Sequence, residues 1–547
     1  MTETPSLGSR YALALRTLLA GIAGVAGSYA LAGSTPSFVA APIESWLAAT
    51  VPDYLLRVAI TVVTPLGEAV GIAHLGQALN LTLAIALGVG LVGALALAAL
   101  VAGRMRGDAT VTVALALSLP AIAVLVLTAS ATSALGAGLG SAVVVALGEF
   151  ARMDAPATDA GRRDLLGSLA GALAVGLGGA FLGSRSSGSD GTETPRPLAG
   201  SGADVSNTDA SGPNATGEGT AAGEENETYS DSNDPGEIER LPATAEKRSL
   251  SIPNLEGLVS GADFYEVDIN SIDPDVNAED WTLSITGAVS NVIEIGYDDL
   301  RSMDAEHRFT TLRCVSDSLN GSEMDTALWT GVPIADILAR AGARGRHLRI
   351  DAADDYFQGF PISELDDAML VYGMDETTLP RGHGAPVRLL VPGHWGEIQV
   401  KWITGIEVLN QPIEGFWEQR GWHGTGNAHT VAKLQATNRQ PDGRIQVAGH
   451  AYAGTRGIER VELSIDGSEW RETDLSKPLP ASTGERARGL DGAGAAWRQW
   501  AYTYDSPGTD HEVRVRTIEA DGTIQPRESA DPYPRGATGW VSVTVER

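Results

Sequence analysis

The chain has 547 residues, with 68 Asp and Glu against 39 Lys and Arg, a formal net charge of −29 and a single cysteine, Cys314. That length exceeds the roughly 100–200 residues of one domain, so several folding units are expected. One cysteine excludes an internal disulfide, a CxxCH haem attachment and a cysteine-ligated iron–sulfur cluster, and the acidic balance argues against nucleic acid as a partner.

Excess carboxylate keeps a surface hydrated while repelling itself, a balance that concentrated salt screens, so the composition predicts a salt-adapted, halophile-type surface. The N-terminal third, residues 1–183, carries apolar runs near the roughly 20 residues a helix needs to cross a hydrocarbon layer. Five spans are expected: Tyr11 to Ala32, Leu79 to Ala102, Thr110 to Ala129, Ala134 to Phe150 and Leu165 to Gly183. Between the first two, IESWLAATVPDYLLRVAITVVTPLGEAVGIAHL is apolar but interrupted by Pro52, Arg57, Pro65, Glu68 and His74, a pattern read as interfacial or re-entrant. Five crossings gather Arg10 and Arg16, Arg104 and Arg106, and the Arg152 to Arg163 loop on one side. The soluble remainder then lies outside the cytoplasm, on a multi-pass protein of the cell membrane. GRRDLLGSLAGALAVG, with Arg162 and Arg163, reads equally as positive-inside charge and as an internal twin-arginine export signal. Few buried charges are expected among the spans, whose role is read as anchoring.

Residues 184–248 turn to Gly, Ser, Thr, Asp and Glu, the composition of a disordered acidic linker, with sequons at Asn214 and Asn226. Residues 249–430 mix alternating runs such as WTLSITGAV with helical segments such as VPIADILARAG, an α+β signature. From 431 to 547 short strands recur between turns, as in RIQVAGHAY, IERVELSIDGSEW and HEVRVRTIEADG, and predict an all-β immunoglobulin-like sandwich with turns at Asp466-Gly467 and Asp521-Gly522. The expected architecture is multidomain: all-α transmembrane, then α+β, then all-β.

Cys314 ends the alternating segment RFTTLRC and enters a Gly- and Ser-containing loop. A lone cysteine is most often a buried small apolar residue. Downstream, His383, Arg388 and Lys401 fall on short strand-like pieces that bring cationic groups together, which suits an anionic ligand such as a phosphate. Positive charge beside the thiol is expected to favour the thiolate, a good ligand for a metal that prefers sulfur.

Residues 250 to 547 resemble the sulfite oxidase family of molybdopterin enzymes. TLRC resembles the loop whose cysteine ligates molybdenum, HGAPVR a pterin-phosphate clamp, QVKW a second clamp and FWEQRGW a segment reaching the metal. GxAxxGxxGIxRVExSxDG is similar to the family's dimerisation domain, which implies pairing of two chains. The resemblance implies that Cys314 is the molybdenum ligand, that His383 and Arg388 hold the pterin and its phosphate, and that Gln399, Val400 and Lys401 make the second contact. Phe264-Tyr265-Glu266 resembles the FYE stretch of the methionine-sulfoxide-reductase branch, which implies cofactor contacts for Tyr265 and Glu266.

The chain departs from the family in two places. The basic residues that orient sulfite are replaced by VSDSLNGSE, so Asp317 and Glu266 are expected to repel a dianion, and the tyrosine beside the metal falls on Trp422. His74 is the sole histidine of residues 1–183, so no haem held by two histidines is expected there, and electrons are expected to pass to a separate carrier. The functional expectation is two-electron oxygen-atom transfer on a small substrate. The alternatives are S-oxide reduction and a non-enzymatic, surface-anchored binding protein.

Overall fold

A computed structural model describes residues 7–63, 66–67, 75–153, 160–186, 240–261, 264–423, 426–480 and 495–547. The interrupting residues Pro65, Glu68 and His74 and the sequons Asn214 and Asn226 lie outside these. The N-terminal region comprises α1 (Leu7–Ala32), α2 (Ala40–Thr50), α3 (Asp53–Val58) with a π-turn at Ala59–Val63, α4 (Leu75–Arg106), α5 (Ala109–Thr128), α6 (Ala131–Met153) and α7 (Ala160–Ser186). Asp108 caps α5, its Oδ1 accepting from Thr110 N at 2.8 Å and Val111 N at 3.3 Å.

Among the described residues, 4 helices are long and apolar enough to cross a membrane by length and composition: α1, α4, α5 and α6. The expected fifth span is shorter there, an apolar stretch over Ser168–Gly183 within α7. Small residues let these helices touch backbone to backbone, since a Cβ on Gly136 would stand 2.1 Å from the carbonyl oxygen of Gly27. Few buried charges were expected among the spans, yet Arg16 is buried between helices, with Nη1 3.0 Å from Glu149 Oε1 and Nη2 2.5 Å from the Val145 carbonyl. Burial of a cation at this depth requires a partner, and only the helix crossing supplies one.

Two sheets form the central region. One runs Ile293–Gly296, Thr282–Gly287, Ile403–Leu409, His347–Ala352, Phe357–Pro361, with a parallel pair between Thr282–Gly287 and Ile403–Leu409. The other pairs Glu306–Arg313 with Met324–Pro333, then Met369–Met374, which carries both Thr377–Thr378 and Arg388–Leu390. WTLSITGAV and VPIADILARAG become the strand Thr282–Gly287 and the helix Ile334–Ala341, whose buried Ile334, Ile337, Leu338 and Ala341 recur at helical spacing.

The C-terminal region is two antiparallel sheets sharing one core of Val447, Trp500, Leu463, Val513 and Val515. One is built on Arg444–Tyr452 and Arg498–Asp505, the other on Ile458–Ile465, His511–Glu519 and Val541–Val545. Asp466 and Gly467, at φ 47° and 71°, make the hairpin turn their sequence predicts. The end of the stretch read as linker is ordered: Arg240–Arg248 is a helix, with Leu241 and Ala245 buried in this C-terminal core. Leu250 N donates to Gln499 Oε1 at 2.6 Å and His450 Nε2 lies 3.1 Å from the Gly257 carbonyl oxygen, so the chain crosses the β region before entering the central one.

Candidate active site

Cys314 follows directly on the strand Glu306–Arg313, which is buried along nearly its whole length. The loop after it is folded by one carboxylate. Asp317 Oδ2 accepts from Arg313 Nε at 2.9 Å and from Lys433 Nζ at 2.7 Å, all three side chains fully buried, while Oδ1 accepts from Glu323 N at 3.1 Å. Burial pushes the Asp317 carboxyl up, but Lys433 and Arg313 outweigh it and hold it below the usual range. This corrects the expectation that Asp317 repels an anion: its charge is already paired, by a lysine more than a hundred residues away in sequence.

The thiol expectation is also corrected. Cys314 is buried, with Sγ 3.0 Å from Ser316 Oγ, which donates to Glu323 Oε2 at 3.0 Å. Burial first, then Glu323, pushes the thiol well above its ordinary value, so the free protein holds it protonated and a metal must displace that proton.

Arg388 opens the strand Arg388–Leu390, with Nη1 donating to the His383 carbonyl at 3.0 Å and Nη2 to the Gln399 carbonyl at 3.1 Å. Burial lowers it to about 10, and it stays cationic at neutral pH. His383 is neutral: burial first, then Lys401 and Arg388, push it down to about 3. At 3.6 Å from Glu266 Oε1 it therefore makes no ion pair. Gly384, at φ 103°, lets Arg388 and Lys401 approach, since a Cβ there would lie 2.9 Å from Lys401 Cβ. Lys401 Nζ reaches Asp268 Oδ1 and the Gly382 carbonyl, each at 2.7 Å. The Gln399 side chain is spent on structure, clipping the Val391 backbone at 2.6 and 2.7 Å.

These elements enclose a cavity of about 320 Å³. Cys314, Tyr265, Arg388, Gln399, Val400, Lys401 and Trp422 line it together, with His383 and Glu266 beside them. Tyr356, which sequence reasoning missed, also lines it. Its phenol donates to the Glu397 carbonyl, and burial, then Glu397, holds it protonated. A tyrosine after a strand looks like core packing, and nothing local in the sequence marks it otherwise.

Most of the lining is apolar, but two groups at the cavity call for a polar ligand atom. Arg388 Nε and His383 Nδ1 are buried without a hydrogen-bond partner, and such atoms cost about 1–3 kcal/mol each unless a bound group satisfies them. Gly396 leaves open a place where a Cβ would lie 3.0 Å from the Tyr265 hydroxyl and 3.3 Å from Cys314 Cα.

Residues 270–417 match the oxidoreductase molybdopterin binding domain, and 427–533 match the Mo-co oxidoreductase dimerisation domain. Residues 270–533 thus carry the domain pair of the sulfite oxidase family of molybdopterin oxidoreductases. Among its relatives in that family, sulfite oxidase of Gallus gallus is 26% identical over 306 residues, covering 46% of this chain and 65% of that one. Sulfite oxidase of Arabidopsis thaliana is 24% identical over 306 residues, covering 45% and 77%. This chain thus spans from about half to three quarters of the length of the sulfite oxidases it matches, 54% for the Mus musculus protein. The sulfane dehydrogenase SoxCD of Paracoccus pantotrophus aligns at TM-score 0.47 and 22% identity over 53% of this chain and 82% of its own. Neither domain match reaches the N-terminal helical region of this chain.

Proposed function

We propose that this protein is a membrane-anchored molybdopterin oxidoreductase that transfers an oxygen atom in a two-electron reaction on a small substrate outside the cytoplasm. The observation that carries the reading is one buried cysteine sharing a cavity with Arg388 and Lys401, beside a His383 whose Nδ1 has no partner. In this reading Cys314 ligates molybdenum, His383 and Arg388 grip the pterin phosphate, and Lys401, Val400 and Gln399 form the second contact, with Tyr265 and Glu266 adjoining. The molybdenum–pterin group supplies oxygen-atom transfer when bound.

The chain's own part is positioning. Arg388 is oriented by two backbone carbonyls, so its Nε is fixed before a phosphate arrives. The buried Arg313–Asp317–Lys433 cluster fixes the loop that presents the thiol. Tyr356 holds a proton at its phenol oxygen, so Trp422 need not donate one. Electrons pass to a separate carrier, with no haem or iron–sulfur centre of the chain's own.

Elemental analysis for molybdenum on protein made in a pterin-competent host tests this reading, and metal-free wild type from such a host overturns it. S-oxide reduction is the second reading. Relatives named sulfite oxidase act on a dianion, yet the cavity's cations, Arg388 and Lys401, are both assigned to the cofactor, while Asp268, Glu323, Asp354 and Glu397 also line it. Reduction of S-oxides with an artificial donor, against oxidation of sulfite with ferricyanide, separates the two. A surface-anchored binding protein would hold no metal.

A further inference from the structure

One wall of the cavity comes from the N-terminal helices. Ala48 of α2, Val51 after it, Leu55 of α3 and Ala59 of the π-turn line it together with Cys314. This wall is docked: Ser271 N donates to Glu44 Oε1 at 3.0 Å, Gln77 Nε2 to the Asp268 carbonyl at 2.5 Å and Ser271 Oγ to the Gln77 carbonyl at 3.2 Å. Asp268 also pairs with Lys401, so the helices rest on the residue that holds the clamp lysine.

The outer face of the same segment exposes Trp46 at 59%, Tyr54 at 67%, Val58 and Val62. Tryptophan and tyrosine among exposed aliphatics mark the interface of a bilayer. The segment thus lines the cavity with Ala48, Val51, Leu55 and Ala59 while turning an aromatic and aliphatic face outward. Phe416, Trp417 and Trp422 add to the apolar lining, and the ionisable acid–base groups there are carboxylates apart from Arg388 and Lys401, with the thiol and phenols held protonated.

We infer that the cavity over Cys314 binds a neutral, lipid-soluble small molecule that arrives from the bilayer across the α2–α3 wall. The inference rests on the oxidoreductase reading for what happens at Cys314, and on the wall alone for the binding. A neutral ligand loses little on leaving water and meets no like charge among Glu323, Asp354 and Glu397, whereas a dianion meets both penalties.

The test uses the full-length holoprotein in nanodiscs of neutral phospholipid and a diazirine-bearing short-chain quinone as the probe. Saturable photolabelling on the wall residues Ala48, Val51, Leu55 or Ala59 is expected, displaced by unlabelled quinone, and not by sulfite. Displacement by unlabelled quinone but not by a long-chain dialkyl sulfoxide identifies an electron-acceptor site, and displacement by both a site that also takes a sulfoxide substrate; either supports the inference. Ala48→Leu, which fills the wall without charge, and Val51→Asp should each cut saturable labelling at least fivefold. Labelling that does not saturate, that stays on Trp46 and Tyr54, or that sulfite displaces equally well overturns it. Molybdenum is measured on the same sample: metal present without saturable labelling rejects this inference alone, and labelling without metal rejects only the oxidoreductase reading.

Discussion

Asp317 shows how one side chain sets the loop that carries the thiol. With Arg313 and Lys433 fully buried against it, the cluster is expected to behave as a unit whose members cannot be removed singly. Lys433→Met leaves Asp317 one partner short and should destabilise the protein by about 3–5 kcal/mol, read as a fall in Tm. A change within about 0.5 kcal/mol would show that Arg313 alone suffices. Cys314→Ser should abolish turnover and molybdenum retention while leaving the circular dichroism and melting temperature nearly unchanged, because the hydroxyl fits the space of the thiol. Full activity in that variant would remove Cys314 from the chemistry. Arg388→Lys keeps the charge but loses the fork and one of its two backbone carbonyl bonds, so pterin content per chain should drop and the fold should lose about 1–3 kcal/mol, read as a fall in Tm.

At the scale of elements, the seam between the 249–259 segment and the C-terminal sheets depends on a neutral histidine. His450 stacks on Trp497 at 3.8 Å and lies 3.1 Å from the Gly257 carbonyl oxygen, and burial pushes it down to about 4. Between pH 4 and about 6.5 the unfolded chain binds a proton that the folded one does not. Stability therefore falls as pH drops through that window, by about 3 kcal/mol in total. Urea melts of wild type and His450→Gln should converge as the pH falls towards 4; parallel curves would refute the assignment. Asp273 and Asp354, pushed up to about 6 by burial, act with the opposite sign in both proteins and cancel in that comparison. The contact of α2 and α4 with the segment around Asp268 and Ser271 is a second seam. Gln77→Ala and Ser271→Ala together should speed amide exchange across residues 264–272 without lowering the global melting temperature.

For the whole molecule, the formal charge of −29 predicts that stability rises with salt, since screening relieves self-repulsion. Thermal melts in about 0.1 M and 2 M KCl should differ by several degrees, and an equal or lower Tm in high salt would count against a salt-adapted surface. The Mo-co oxidoreductase dimerisation domain over residues 427–533 leads us to expect pairs of chains in detergent, which light scattering reads directly.

Periodicity and turn chemistry are local, and the sequence alone determined what they govern: the apolar helices, the strand ending at Cys314, the β-rich C-terminal region and its Asp466-Gly467 turn. The motif residues Arg388, Lys401, Tyr265 and Trp422 were legible because backbone motifs keep their spacing in the chain. Partnership across the chain is not local, and only the tertiary structure decided it. Lys433 neutralises Asp317, Glu149 receives Arg16, Tyr356 enters the cavity and Ala48 to Ala59 close its wall, each across a sequence gap that no local pattern encodes. The thiol's protonation belongs to the same class, because burial sets it and burial is a property of the packed whole.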